Sequence, residues 1–503
     1  MALRINFNAE ATTTHTALLQ NERAMNKSLL RISTGNRILS AADDAAGLFI
    51  ADQLSTVAAA LNQGNSNIQT GISALQIAET NVGQIVDKLQ TIYTKAQSAA
   101  NDINDPNARA ALQSDIANLV DAIQKIATDT EYNGIKLLDG TFENKSIHYG
   151  PRANQTITVG ISSVKASDIG ASIVSGTGQV TSSTTSAYSA LITSNWQYSS
   201  TAADIAKVAD KSLSLTDGAV DAKSIADAIN SNSDLKALDI SARATNTSTA
   251  NADFTTITSG SAATTLRFYV GSTTDSSSAI EIQVAAGEQL TLDQLISEIN
   301  TGASTKDLNI TASKSGDKLV LTTTGETIGV EVVSGTGGAN VNLATLLQSA
   351  SGSVTAATGS AVKVGDLVII GSDSYAYDFT GISTTSAGLG LSPTGTSELK
   401  NLNDISVKDN ASAELAIDIA NTAIKKVDRV RTQIGSVINN LQAIYDGQKA
   451  SYDNTKEAEN VIRNTDFAAE MSTFTTMQIR MQAGMAMLAQ ANTLPQLVLQ
   501  LLR

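Results

Sequence analysis

From Ile50 to Ala99 the apolar or small residues Ile50, Leu54, Val57, Leu61, Gly64, Ile68, Gly71, Leu75, Ala78, Val82, Ile85, Leu89, Ile92, Ala96 and Ala99 alternate gaps of four and three without a slip. That interval marks a helical coiled-coil seam, and one helix of this length is a rod about 75 Å long. Ser40, with Asp43 three residues on, has capping-box spacing and predicts where the helix starts. Gly64 and Gly71 each cost about 1 kcal/mol relative to alanine, so they predict close approach of another backbone. A second helix opens at Asp105-Pro106 and carries the seam Leu112, Ile116, Leu119, Ile123, Ile126. Near the other end Ile417, Ala420, Ile424 and Val427 keep the interval, which widens to Val430, Ile434, Val437, Leu441 and Ile444. Beyond them Phe467, Met471, Phe474, Met477, Met481, Met485 and Leu488 form a helical stripe whose expected partner is the weaker stripe Leu18, Met25, Leu29 and Ile32. The last residues, LAQANTLPQLVLQLLR, crowd Leu494, Leu497, Val498, Leu499, Leu501 and Leu502 together. Seams that cannot bury themselves pack on one another, so the two ends are expected to meet.

Between the helical zones the chain is rich in Ser, Thr, Gly and Ala. Turn signals at Asn133-Gly134 and Asp139-Gly140 end the first helical zone, and alternation such as Thr156, Ile157, Thr158, Val159 predicts a hairpin around 141–161. SIADAINSNSDLKALDISA (224–242) matches QLISEINTGASTKDLNITA (294–312) at a constant offset. Each copy predicts one short helix leading into a strand, giving two related α+β modules at about 195–264 and 265–335 and a returning β-rich segment. The fold class expected is multidomain α + β. Terminal α-helical coiled-coil domains are built from the N- and C-terminal segments together, around a variable, β-rich central insertion.

A net charge of -14 argues against nucleic acid or an anionic membrane as partner. No stretch approaches the roughly 18 apolar residues of a membrane span, and MALRINFNAE has no apolar core of a signal peptide, so neither membrane insertion nor that export route is expected. Cysteine is absent, which excludes disulfides and thiolate chemistry. His15 and His148 stand far apart outside any H-E-x-x-H frame, and SGTGG (334–338) and GLGLSPTG (388–395) lack the Lys-Ser/Thr of a phosphate loop. Asp43 and Asp44 are adjacent, and adjacent helical residues point apart, so they suit capping and subunit contacts rather than a catalytic dyad. Trp196, Tyr375 and Tyr377 are expected as core anchors. No catalytic residue, metal site or cofactor is expected; the chain is not read as an enzyme.

LLRISTGNRILSAADDAAGLFIADQL (29–54), joined to LAQANTLPQLVLQLLR at the other end, closely resembles bacterial flagellin. The shared motif positions are Arg31, Ser33, Gly35, Arg37, Asp43, Asp44, Gly47, Gln490, Asn492 and Pro495. The resemblance covers about the first 165 and last 100 residues. It implies a structural subunit that polymerises into the extracellular flagellar filament for motility; the alternatives are a minor flagellin or hook-filament junction protein and, further off, a flagellin with an enzymatic insert. It implies an inner-tube domain from 1–42 with 462–503, a long-helix bundle with hairpin from 43–168 with 404–461, and an outer region of 169–403. The subunit contacts would then come from the terminal stripes together with Val498, Leu501 and Leu502. It also implies export through the flagellar type III apparatus without a cleaved signal, a chaperone on the C-terminal segment, and filament-cap and junction proteins as partners. Gly435 matches a family glycine and is a candidate packing pivot. Where many flagellins carry L-Q-R-x-R-E-L, this chain reads LQTIYTK (89–95), with Thr91, Tyr93 and Thr94 among the replacements, so weak or absent recognition by the Toll-like receptor is expected.

Overall fold

The computed structural model describes residues 8–101, 103–195, 197–198, 206–380, 382 and 388–501. Trp196 and Leu502 fall outside the described residues, as do the side chains of Leu494, Pro495, Leu497, Val498, Leu499 and Leu501. The helices are α1 (Ala9–Thr34), α2 (Ala45–Ala99), α3 (Pro106–Asp129), α4 (Tyr188–Asn195), α5 (Ala222–Ser231), α6 (Ser233–Ala237), α7 (Leu292–Lys306), α8 (Asn410–Arg463) and α9 (Phe467–Leu501). The chain divides into two compact units. The first comprises Met1–Glu79, Phe142–Ile161 and Gln433–Arg503; the second comprises Thr80–Thr141 and Ser162–Thr432.

In the first unit the hairpin Lys145–His148 with Thr156–Val159 lies on α2. A Cβ on Gly64 would stand 1.9 Å from the carbonyl oxygen of Tyr149, and one on Gly71 would stand 2.5 Å from Ile147 Cδ1. Asn67 Nδ2 donates to the His148 carbonyl at 2.9 Å. Both glycines therefore answer to close approach, as their helical cost suggested. Gln69 Nε2 donates to the Tyr445 hydroxyl at 2.9 Å and ties α2 to α8. The expected seam needs one correction: Ile50 and Val57 are 49% and 37% exposed, while Ala51 and Ala58 are fully buried. A straight helix with 3.6 residues per turn drifts against a strict 3.5-residue repeat, and over this stretch the inward face has moved by one position.

In the second unit α2 buries Val82, Ile85, Leu89, Ile92, Ala96 and Ala99, and α8 buries Ala413, Ala416, Ile419, Ala420, Ala423, Val427 and Val430. The buried face of α3 is Ile116, Val120, Ile123 and Ala127, with Leu119 only half-buried, the same one-position drift. Ile424 of α8 is likewise half-buried. Lys95 pairs with Asp115 at 2.7 Å. Gln113 donates to the Ile405 carbonyl at 3.0 Å and accepts from the Val407 N–H at 2.7 Å, fixing the chain before it enters α8.

The remainder of this unit holds two larger antiparallel sheets. The six-stranded one runs, in spatial order, Ile310–Ser315, Lys318–Thr323, Ser241–Thr249, Asp366–Gly371, Gly170–Gly176, Glu398–Asn401. The five-stranded one runs Ile280–Val284, Thr264–Val270, Ile328–Ser334, Thr358–Lys363, Val180–Ser183. Helices α5 and α7 are the helical parts of the sequence repeat. Each opens with a capping box, Asp221 with Ser224 and Thr291 with Gln294. Each also carries an asparagine that grips its own strand through both amide groups. Asn230 donates to the Ala242 carbonyl at 2.7 Å and accepts its N–H at 2.9 Å, and Asn300 does the same to Ala312 at 2.9 and 2.8 Å.

The copies are not identical, because the first breaks into α5 and α6 where the second runs on as α7. Nor do their strands stand apart: Ser241–Thr249 of the first pairs with Lys318–Thr323, which follows the second, inside one sheet. One core cluster buries the large residues Leu266, Phe268, Leu295, Ile299, Leu319 and Leu321 together. Tyr188 stacks on Tyr269 with ring centroids 4.0 Å apart. Tyr375 and Tyr377 are buried anchors, as expected from the sequence.

Candidate assembly surface at the paired chain ends

Helix α1 begins where the Asn8 side chain accepts the Ala11 N–H at 3.1 Å, and it ends at Gly35, whose φ of 71° lets its N–H reach the Arg31 carbonyl at 2.8 Å. Asp466 opens α9 by accepting the N–H groups of Ala468 and Ala469 at 2.9 and 3.2 Å. The two helices run antiparallel: Asn8 Nδ2 donates to the Ala491 carbonyl at 2.9 Å, Asn21 Nδ2 to the Met477 carbonyl at 2.8 Å, and Ser28 Oγ to the Glu470 carbonyl at 3.4 Å.

The facing positions are Ala11, Thr14, Leu18, Asn21, Met25, Ser28 and Ile32 on α1, against Glu470, Phe474, Met477, Met481, Gly484, Leu488 and Ala491 on α9. Both sets alternate gaps of three and four. Among the described residues of these two helices, only Ser28 and Ala491 are fully buried. Leu19, Leu29, Leu30, Phe467, Met471, Ile479, Met485 and Met487 are instead 41% to 63% exposed. The expected pairing is corrected accordingly: Leu18, Met25, Ile32, Phe474, Met477, Met481 and Leu488 face the seam, whereas Leu29, Phe467, Met471 and Met485 do not. Between these apolar positions the small or polar residues Asn21, Ser28, Gly484 and Ala491 let the helices come close. A Cβ on Gly484 would already lie 3.2 Å from Leu18 Cδ1. An open groove of about 660 Å³ runs along the pair, bordered by Thr14, Ala17, Asn21, Arg480, Gly484 and Met487.

A knuckle joins this pair to the long helices of the same unit. Arg37 N–H donates to the Arg463 carbonyl at 2.7 Å, Thr465 N–H donates to the Gly35 carbonyl at 2.9 Å, and Asn36 bridges to Asn464. The Arg37 guanidinium caps the end of α8 at the Ile462 carbonyl, 2.7 Å away. Asp43 accepts the N–H groups of Leu39 and Ser40 at 3.1 and 3.2 Å and pairs with Lys27 at 2.5 Å. The bond from Lys27, aided by the Leu39 N–H, holds the Asp43 carboxyl down at about 2. Asp44 accepts the Gly47 N–H at 2.8 Å, so it is Asp44 that opens α2, while Ser40 and Asp43 form the turn before it. A Cβ on Gly47 would fall 2.4 Å from the Asp44 carboxylate.

Arg31 lies 3.8 Å from Glu470, and Ser33 is exposed with its hydroxyl 3.4 Å from the Leu30 carbonyl. Gln490 and Asn492 are exposed on α9. Gly435 has nothing within 4 Å of a built Cβ, so this chain alone gives no packing reason for a glycine there. Thr91 and Thr94 are exposed on α2 and Tyr93 is half-buried. Among the described residues no cluster of three His, Asp or Glu could hold a metal ion, and no helix is long and apolar enough to cross a membrane.

Residues 5–143 match the profile of the bacterial flagellin N-terminal helical region, and residues 417–502 match that of the C-terminal helical region. Along its whole length the chain is similar to flagellin from Aquifex pyrophilus, 53% identical with 100% of both chains covered, and to flagellin from Aquifex aeolicus (strain VF5), 50% identical over the same shares. The chain belongs to the bacterial flagellins. As a flagellin it is a structural subunit of the flagellar filament, and full-length identity at this level does not favour the junction-protein alternative. A solved structure of FliC from Burkholderia pseudomallei is similar only loosely, 15% identical over 74% of this flagellin and 99% of that chain, with a TM-score of 0.29.

Sequence reasoning missed Asn21, Ser28, Glu470 and Gly484 in the seam of this flagellin. Their signal was present: counted with their apolar neighbours, they complete a three-four alternation on both helices. A search for large apolar residues passes over it.

Proposed function

We propose that the outward face of the α1–α9 pair is the surface on which copies of this flagellin polymerise, and that other copies fill the groove along it. The shallow burial of the pair carries this reading: Leu18, Met25, Ile32, Phe474, Met477, Met481 and Leu488 are only half-buried along the seam, and eight further large apolar side chains are 41% to 63% exposed outside it. Fully burying such side chains is worth about 1.5 to 3 kcal/mol each, so covering their exposed parts contributes on the order of 10 kcal/mol per subunit. Ordering costs about 1 to 2 kcal/mol per residue, so an isolated pair does not recover its own ordering, while stacked pairs gain a shared core. A heterologous contact that does not close into a ring grows into a helical polymer.

On this reading residues 1–42 with 462–503 form the inner tube, 43–168 with 404–461 the bundle around it, and 169–403 the outward region. A neighbouring copy supplies the packing reason for Gly435. The protein is structural and not an enzyme. It leaves through the flagellar type III apparatus, with a chaperone holding the C-terminal segment beforehand and cap and junction proteins meeting it afterwards. Thr91, Tyr93 and Thr94 leave the Toll-like receptor without its usual arginines and glutamate, so a reporter-cell assay should register little response.

Seeded elongation followed by electron microscopy tests the assembly reading. The full chain should extend seeds, and a chain lacking residues 488–503 should not. Normal rods from the shortened chain would refute it.

A further inference from the structure

All the sulfur of this chain outside Met1 is concentrated in one place. Of its seven methionines, Met25, Met471, Met477, Met481, Met485 and Met487 lie on α1 and α9, and there is no cysteine. They fall into two groups: Met25, Met477 and Met481 are half-buried along the seam, whereas Met471, Met485 and Met487 are 46%, 51% and 63% exposed on the outward face.

We propose that Met471, Met485 and Met487 form an oxidation switch that decides whether a subunit can join the filament. The inference rests on the assembly reading above. Hydrogen peroxide is the oxidant: a thioether sulfur attacks one peroxide oxygen, an S–O bond forms as the O–O bond breaks, and a proton passes to the departing oxygen, which leaves as water. The sulfur gives up two electrons and becomes a sulfoxide. A flexible apolar side chain thereby turns into a polar acceptor, on a face that must lose its water when copies stack. A buried acceptor without a donor disfavours association. Exposure orders the sites, so the free subunit is the vulnerable form and the incorporated one is shielded. Reduction by a methionine sulfoxide reductase reverses the block. The half-buried methionines of the same helix pair serve as an internal reference.

The full-length monomer is treated with hydrogen peroxide, sulfoxides are located by peptide mass spectrometry, and elongation on filament seeds is measured. The untreated chain and an M471L/M485L/M487L variant run beside it. Sulfoxide should appear at Met471, Met485 and Met487 before Met25, Met477 and Met481. Elongation of the treated native chain should fall at least about tenfold and recover after reductase treatment, while the triple variant keeps its rate through the same exposure. Unchanged elongation of fully oxidised native chain overturns the proposal, as does an equal loss in the triple variant. Should the variant elongate poorly before treatment, the reductase step on native chain decides: recovery supports the switch and no recovery overturns it. An untreated chain that fails to elongate overturns the assembly reading, and the switch with it.

Discussion

The paired chain ends and the central sheets treat their large apolar side chains in different ways. Around the sheets Phe268, Leu295, Leu321 and Tyr188 are fully buried, and the hydrogen bonds of Asn230 and Asn300 lock helix to strand within the same chain. In the α1–α9 pair the fully buried residues are Ser28 and Ala491, and Ile479 and Met487 face outward. The sheets complete their core within one chain, whereas the helix pair leaves its seam half-buried and further large apolar side chains exposed. On the proposed reading, that difference separates the part of the molecule that folds alone from the part that assembles.

The comparison breaks most sharply if the outer face of the pair can be charged without consequence. Ile479→Lys with Met487→Lys should abolish seeded elongation while leaving the thermal transition of the central sheets unchanged, as read by electron microscopy and calorimetry on one preparation. The converse change is Phe268→Ala, which empties a fully buried site. It should cost about 3 to 5 kcal/mol in the central region, visible in urea unfolding, yet seeds should still elongate while that region remains folded. Gly64→Ala drives a methyl group onto the Tyr149 carbonyl and should cost about 1 to 3 kcal/mol, read as lost amide protection in the hairpin 145–159 rather than in the sheets.

The smallest effect concerns the knuckle. The folded-state value of Asp43 is about 2 against an ordinary 3.8. Its contribution is therefore complete above about 3.8 and is lost as pH falls through about 2. Acid titration followed by NMR of residues 35–44 should show loosening across that window, and Asp43→Asn should remove the pH dependence.

Much of this was legible beforehand. An uninterrupted three-four alternation located α2, and Asp105-Pro106 marked the start of α3. Gly64 and Gly71 announced a close neighbour because a helix tolerates glycine at a cost. The repeat around Asn230 and Asn300 showed two related helix-strand units. What escaped was set by tertiary geometry. Helical drift moved burial from Ile50 and Val57 to Ala51 and Ala58, one shared sheet took strands from both halves of the repeat region, and Arg37 capped a helix that ends more than 400 residues later. The terminal seam escaped for a different reason. Its apolar positions alternate with small and polar ones, so a search for large apolar residues finds Leu18, Met25 and Phe474 and passes over Asn21, Ser28 and Gly484 between them.

Amide hydrogen exchange on the full-length chain, first as monomer and then within filaments, tests most directly whether the ends are completed by other copies. The account predicts near-unprotected amides in α1 and α9 of the monomer beside strongly protected amides in Ser241–Thr249 and Ile328–Ser334, with protection of α1 and α9 rising by orders of magnitude on polymerisation. Equal protection of the two helices in monomer and filament would contradict it.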